Sequence, residues 1–197
     1  LVKFSYFVVH KPYGYISQFS GEKNVLTLQN LIAENQLNNF SKDIYPVGRL
    51  DKDSEGLLLL TNDNKLKTKL LDPKNEHFKT YWVQVEGEIS EEAIFKLKSG
   101  GIEIKHNGKS HSCLPAKASK LENIEIQERN PPIRFRANIP TSWIEIQLRE
   151  GKNRQIRKMT AAVGFPTLRL IRVGIQKLKI IQFPLGTVTE IKLKEIQ

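Results

Sequence analysis

Cysteine is nearly absent from these 197 residues: Cys113 is the single one. One thiol cannot close an internal disulfide, so the chain must rely on a buried core and suits a reducing, cytoplasmic compartment. No apolar run approaches the roughly 20 residues that span a bilayer, and no basic start with an apolar stretch behind it marks a secretory signal. The first residue is Leu1 rather than Met, which points to a missing native start. Acids are also in short supply. Asp and Glu number 21 against 31 Lys and Arg, leaving a net charge of +10. That excess favours a polyanionic partner, nucleic acid first. What remains is ordinary for a globular protein, with 39% hydrophobic and 26% charged residues. The length allows one large domain or two small lobes. No repeat, low-complexity segment or clear linker divides it.

The periodicities predict a mixture of strands and helices. Positions 6–10 form an apolar, β-branched run that reads as a strand, broken by Lys11-Pro12-Tyr13-Gly14. Leu28, Leu31 and Ile32 have helical spacing within 27–37, and an Asn-rich loop follows at 38–43. A buried strand is expected over 57–61. Asn62 or Thr61 can then cap a helix reaching about Leu71, which Asp72-Pro73 ends. Positions 79–87 alternate cleanly, with Tyr81, Val83 and Val85 on one face. Ser90 caps a helix to about Ser99, with Glu91 and Glu92 in its first turn and Gly100-Gly101 as its stop. Two or three short strands should occupy 102–126, and a half-buried strand 143–149. Asn153 can cap a helix through Val163, burying Ile156, Met159 and Val163. A cationic strand over 165–174 and one or two closing strands through Lys194 complete the chain.

Two stretches are dense enough in polar groups to suggest sites. In Val47-Gly48-Arg49-Leu50-Asp51-Lys52-Asp53-Ser54-Glu55-Gly56, three carboxylates and two cations stand at the mouth of a buried strand. A solvated turn would explain this, as would a binding or catalytic loop on a rigid scaffold. The alternating Asp51, Asp53 and Glu55 could also form a divalent-metal cluster. In Glu150-Gly151-Lys152-Asn153-Arg154-Gln155-Ile156-Arg157-Lys158-Met159, cations surround a helix start, where free backbone donors suit phosphate. Arg129-Asn130-Pro131-Pro132-Ile133-Arg134-Phe135-Arg136 is basic and proline-broken, and could follow a phosphate backbone or merely link two strands. His106, His111 and Cys113 lie close in sequence but match no standard metal-ligand spacing, so no metal site is expected.

Gly48-Arg49-Leu50-Asp51 followed by Asp53-Ser54-Glu55-Gly56-Leu57-Leu58 resembles the catalytic-aspartate motif of the RNA pseudouridine synthases. The Asp-Ser-Glu-Gly-Leu portion has the form of the branch typified by the small-subunit rRNA synthase A. Lys-Pro-x-Gly at 11–14 resembles that branch's opening motif. Lys79-Thr80-Tyr81-Trp82-Val83 resembles the family's Lys-x-Tyr-x-Val motif. Positions 150–159 resemble its third motif, and Leu168-Arg169-Leu170-Ile171-Arg172 the element that follows. Residues 129–133 and 139–143 are most similar to members that modify a single uridine of 23S rRNA and have no S4-type RNA-binding domain ahead of the catalytic one. No such domain is expected ahead of the motifs here.

The resemblance implies an α+β fold: a mixed, mostly antiparallel sheet with flanking helices and a central catalytic cleft, in a single catalytic domain over 1–197. It implies site-specific isomerisation of uridine to pseudouridine without cofactor or metal, on 23S rRNA that is free or in an assembling large subunit. A monomer is expected. Asp51 would be the essential carboxylate and Arg157 its cationic partner; an adjacent cation lowers a carboxylate pKa by about 1–3 units. Tyr81 would stack on the uracil and take the C5 proton, although tyrosine's ordinary pKa of about 10 makes it a weak base. Leu170 would line the pocket. Arg49 would fill the gap left by an extruded base. Lys152, Arg154, Lys158, Arg169 and Arg172 would contact phosphates. The rival readings are a synthase for another rRNA site or for tRNA, a non-catalytic rRNA-binding or assembly protein, and a metal-dependent nuclease using Asp51, Asp53 and Glu55.

Overall fold

Every residue of the run Glu55–Thr61 is buried, so this strand has protein on both faces, as its unbroken leucines require. It anchors a computed structural model in which residues 3–37, 40–133 and 139–196 are described. In chain order the elements begin with β1 (Tyr6–Lys11), α1 (Leu28–Glu34), β2 (Tyr45–Pro46), β3 (Glu55–Thr61) and α2 (Asn64–Leu71). Then come β4 (Lys79–Glu86), α3 (Glu91–Ser99), β5 (Glu103–His106), β6 (Lys109–Ser112), β7 (Lys117–Leu121) and β8 (Thr141–Leu148). The chain closes with α4 (Gln155–Ala162), β9 (Thr167–Ile175), β10 (Leu178–Lys179), β11 (Val188–Ile191) and α5 (Leu193–Ile196). The fold class is α+β, with antiparallel pairings in the majority.

The chain forms two compact units, one from Leu1–Lys79 with Ile171–Gln197 and the other from Thr80–Leu170. In the first, β1 lies between β11 and β3 and is antiparallel to both. The last part of β9 runs parallel to the start of β3, with Glu55 opposite Ile171 and Gly56 opposite Arg172. The core gathers Tyr6, Val8, Leu57, Leu59, Ile175 and Ile191 from strands and Leu66 and Leu70 from α2. Burying each such side chain contributes about 1.5–3 kcal/mol. Pro46 pairs with Leu60 from the short edge strand β2, where its missing donor costs nothing.

In the second unit, β7, β8 and β4 are neighbours in that order, and α3 packs against β7. The alternation read at Tyr81, Val83 and Val85 is present, all three being buried. The Ser90 hydroxyl accepts from Ala93 N at 3.2 Å, so α3 is capped as its sequence indicates. Gly100 ends it at φ +73°, where a Cβ would press on Pro115.

Three local expectations are corrected. Asp63, not Thr61 or Asn62, caps α2, accepting from Leu66 N at 3.0 Å. Thr61 instead donates to Ser5 O at 2.7 Å, and Asn62 accepts from Ser5 N at 2.8 Å, so both serve long-range ties. Asn153 does not cap α4: Arg154 holds that position in a left-handed conformation, φ +51°. The Gln155 side chain accepts from Lys152 N at 3.0 Å, ahead of the helix, and the buried stripe becomes Gln155, Ile156, Met159 and Thr160, with Val163 only half-buried. Lys194 lies in the helical turn α5 rather than in a closing strand. Asn38 and Asn39, within the expected loop, and Arg134, Phe135 and Arg136, within the segment expected to follow a phosphate backbone or link two strands, fall outside the described residues.

Gly56 adopts φ +104°, and a methyl group there would strike the backbone N, C and O of Arg172. Neither strand can yield without losing its pairing. Gly56→Ala should therefore cost at least about 4 kcal/mol, lowering the melting temperature by about 10 °C or more. A thermal melt within a few degrees of the parent would show that the strands tolerate separation.

Candidate active site

The charged turn before β3 is held from several directions within the first unit. Ser17 Oγ donates to Leu50 O at 2.7 Å and accepts from Leu50 N at 3.0 Å, clamping both backbone groups of the residue before Asp51. Gly14 N donates to Lys52 O at 2.8 Å, on the other side of Asp51. Ser54 N closes the turn onto Asp51 O at 3.0 Å. The Lys-Pro-Tyr-Gly segment is therefore a brace for the aspartate turn as well as a chain reversal. Asp51 and Asp53 are half-buried and Glu55 is buried, while Arg49 is exposed on the flank.

Two cations lie beneath this turn. Lys11 has no exposed surface, and its Nζ donates to Tyr15 O at 2.7 Å and Pro12 O at 3.0 Å. Burial pulls its pKa down to about 8, opposed by the charges of Glu55, Asp53 and Asp51 and aided by that of Arg172. Arg172 is buried, and its Nε donates to Leu57 O at 2.6 Å. A small void lined by His77, Lys79, Arg172 and Gln176 adjoins it. Lys79 is likewise depressed to about 8, by burial first and then by Arg172. In the sequence, Lys11 belongs only to a turn motif. Its role shows only once β1 and β3 are paired, with Lys11 opposite Gly56.

Of the residues singled out from the sequence, Arg49, Asp51 and Arg172 belong to the first unit, and Arg172 comes together there with Lys11 and the acids. Tyr81, Lys152, Arg154, Arg157, Lys158, Arg169 and Leu170 belong to the second. Tyr81 and Leu170 are buried. Arg157 is half-buried on α4 and donates from Nη1 to Thr167 O at 3.4 Å. Arg154 is exposed and Lys152 half-buried at the helix start. Lys158 donates to Lys105 O at 2.7 Å, fastening α4 to β5. Arg169 and Arg172 depart from the exposed, phosphate-facing cations expected of them. Three apart on a strand they face opposite ways, yet both are buried, because β9 is covered on both faces. Arg169 donates to Gln127 O at 3.0 Å.

His111 and Cys113 do meet a third ligand-type group, Glu150, with donor atoms within 4.8 Å of one another. Sequence spacing could not reveal this, because Glu150 arrives from beyond β8. Its carboxylate is already engaged. It accepts from Leu114 N at 2.9 Å and Gln155 Nε2 at 2.7 Å and pairs with His111 Nε2 at 2.9 Å. Burial alone would raise its pKa, but these three partners outweigh burial and hold it below the usual carboxylate range. The cluster orients the 150–155 turn with groups the chain itself supplies.

A clamped, half-buried aspartate over buried cations, ahead of a leucine strand, sits in a chain that belongs to the RNA pseudouridylate synthase family, matched over residues 5–162. The enzyme class is thus an isomerase. Among its relatives is the ribosomal large subunit pseudouridine synthase E of Vibrio parahaemolyticus, 46% identical over 186 residues, which are 94% of this chain and 73% of that protein. The protein of the same name from Xanthomonas axonopodis pv. citri is 44% identical over 169 residues, 85% of this chain and 84% of that one. A crystal structure of a pseudouridylate synthase shares the fold with a TM-score of 0.75 at 22% identity, covering 100% of this chain and 74% of its own.

The buried Lys11 makes the fold pH-sensitive. Folded, it releases its proton near pH 8, against an ordinary value of 10.5. Between these limits the unfolded chain binds more protons, so stability rises with pH across that window, and below it the full penalty of the buried charge applies. The difference in unfolding free energy between parent and Lys11→Met should therefore shift in the parent's favour from pH 8 to 10.5. A difference independent of pH, measured by urea denaturation, would contradict this account of Lys11.

Proposed function

We propose that this chain converts a uridine of 23S ribosomal RNA to pseudouridine, with Asp51 as the essential carboxylate. The observation that carries the reading is the Asp51 turn itself, braced on both sides by Ser17 and Gly14 and set over buried cations. The names of the relatives support a large-subunit RNA as substrate. The net charge of +10 supplies affinity for phosphate without selecting a sequence.

The reaction breaks the bond between C1′ and N1 of uracil, turns the freed base, and forms a bond between C1′ and C5. C5 loses a proton and N1 ends with one, so the reaction is redox-neutral and needs no cofactor or metal. Asp51 acts on the sugar or base as nucleophile or electrostatic partner. Arg157 supplies the positive charge that the reaction calls on, Tyr81 stacks on the uracil and receives the C5 proton, and Leu170 lines the pocket. Arg49 takes the place of the extruded base. Lys152, Arg154 and Lys158 contact phosphates, whereas the burial of Arg169 and Arg172 removes both from that role, and Arg172 instead shapes the Asp51 turn within the first unit. The protein works as a monomer in the cytoplasm, where its RNA is found. No helix among the described residues is long and apolar enough to cross a membrane.

Unmodified 23S rRNA carrying tritium at uridine C5 should release it when incubated with the protein in excess EDTA. Asp51→Asn should lower that release by at least about a hundredfold while leaving RNA affinity nearly unchanged. Residual turnover near that of the parent would sink the assignment of Asp51. Strand cleavage that EDTA abolishes would favour the nuclease reading.

A further inference from the structure

The first unit carries an aromatic ridge beside the Asp51 turn that the chemistry above does not use. Phe19 and Tyr45 meet edge to face, centroids 6.4 Å apart at 75°, and Phe40 backs Phe19 at 5.8 Å. Tyr45 is not core: it stands on the edge strand β2 with 55% of its surface exposed. The two rings separate two open hollows, since both line each of them. One, of about 590 Å³, continues past Phe40 and Lys42. The other, of about 520 Å³, is walled by Gln18, Gly48, Arg49 and Lys67 and so leads directly to the catalytic turn. Rings flanked by cations are the composition that binds unpaired nucleotides, which stack their bases on aromatic faces while cations follow the phosphates.

The ridge is also fixed relative to Asp51. Ser17, two residues before Phe19, makes the reciprocal hydrogen bonds that clamp Leu50. Gln18 O accepts from Leu28 N at 2.8 Å, tying the same loop to the start of α1. Tyr45 pairs with Thr61 at the far end of β3. A base stacked here would therefore be held at a set distance from the reacting nucleotide.

We propose that Phe19 and Tyr45 form a stacking platform for an unpaired nucleotide flanking the modified uridine, with Lys67 on its phosphate. This rests on the proposed function for the identity of the RNA, but not for the stacking itself. It makes the ridge a positioning element, supplying affinity and register rather than chemistry.

The test uses the full chain in an Asp51→Asn background, where turnover is silent, and fluorescently labelled single-stranded oligouridylate as the probe. Phe19→Leu with Tyr45→Leu keeps apolar bulk but removes both π faces. Affinity should fall by at least about fivefold, with the salt slope unchanged because every cation remains. Tyr45→Phe alone should bind like the parent. The same double substitution with Asp51 intact should raise KM for 23S rRNA and leave kcat unchanged. Unaltered oligouridylate affinity in a double variant that melts like the parent overturns the platform. So does a weakened affinity accompanied by a flatter salt slope, which would make the loss electrostatic. Ring-dependent binding combined with no tritium release from the Asp51 enzyme would uphold the platform and reject the uridine reading, so the two can fail separately.

Discussion

Burying charge beside charge is the constraint on which the first unit depends. Lys11 and Arg172 are both withdrawn from water under a turn bearing Asp51, Asp53 and Glu55. An isolated buried cation costs several kcal/mol, and removing one partner of a buried set exposes that cost. Here the acids offset only part of it, since burial still pulls Lys11 down to about 8, and the backbone carbonyls of Pro12, Tyr15 and Leu57 accept from its donors and those of Arg172. The arrangement exists only when β1, β3 and the end of β9 are adjacent. Gly56 permits that adjacency, since any side chain there would push Arg172 away. The charge cluster and the strand order are therefore one structural fact, and the turn that carries Asp51 inherits its rigidity from both.

From this follows a division of labour. Charges near the turn fall into those that shape it from below, Lys11 and Arg172, and those open to a ligand, Arg49 and Lys67. The aromatic ridge and the turn share the Ser17 clamp, so an RNA strand lying across Tyr45 and Phe19 would meet a surface already aligned with Asp51. Preorganisation of this kind reduces the ordering cost of binding and lets remote contacts assist catalysis through position. In the second unit the same economy appears at Glu150, where one carboxylate satisfies Leu114 N, Gln155 and His111 and so sets the approach to α4.

Much of this was legible in the sequence where a signal is local. The alternation at Tyr81, Val83 and Val85, the Ser90 cap with its paired glutamates, and the leucine run at 57–60 each carry their own period, and each formed as read. The density of charge at 47–56 coincides with the turn that Ser17 and Gly14 brace. What was not legible depends on partners far along the chain. Arg169 and Arg172 look like surface cations until both faces of β9 are seen to be covered. Thr61 and Asn62 are good caps that were diverted to Ser5, leaving Asp63 to cap α2. Asn153 lost the cap position to Arg154 in its left-handed conformation, while the buried Gln155 ties Lys152 N to Glu150. Lys11, in a short turn motif, gave no sign of being fully buried, and Glu150 none of meeting His111.

On the proposed function, the braced Asp51 turn isomerises a uridine in large-subunit RNA. Mapping pseudouridine directly tests it. Unmodified 23S rRNA would be incubated with the protein, treated with a carbodiimide that adds stably to pseudouridine, and read by primer extension. One new carbodiimide-dependent stop, at a uridine, is expected with the native chain and not with Asp51→Asn. An intact RNA with no new stop in either free or precursor-subunit form, or a stop that persists in Asp51→Asn, would contradict it.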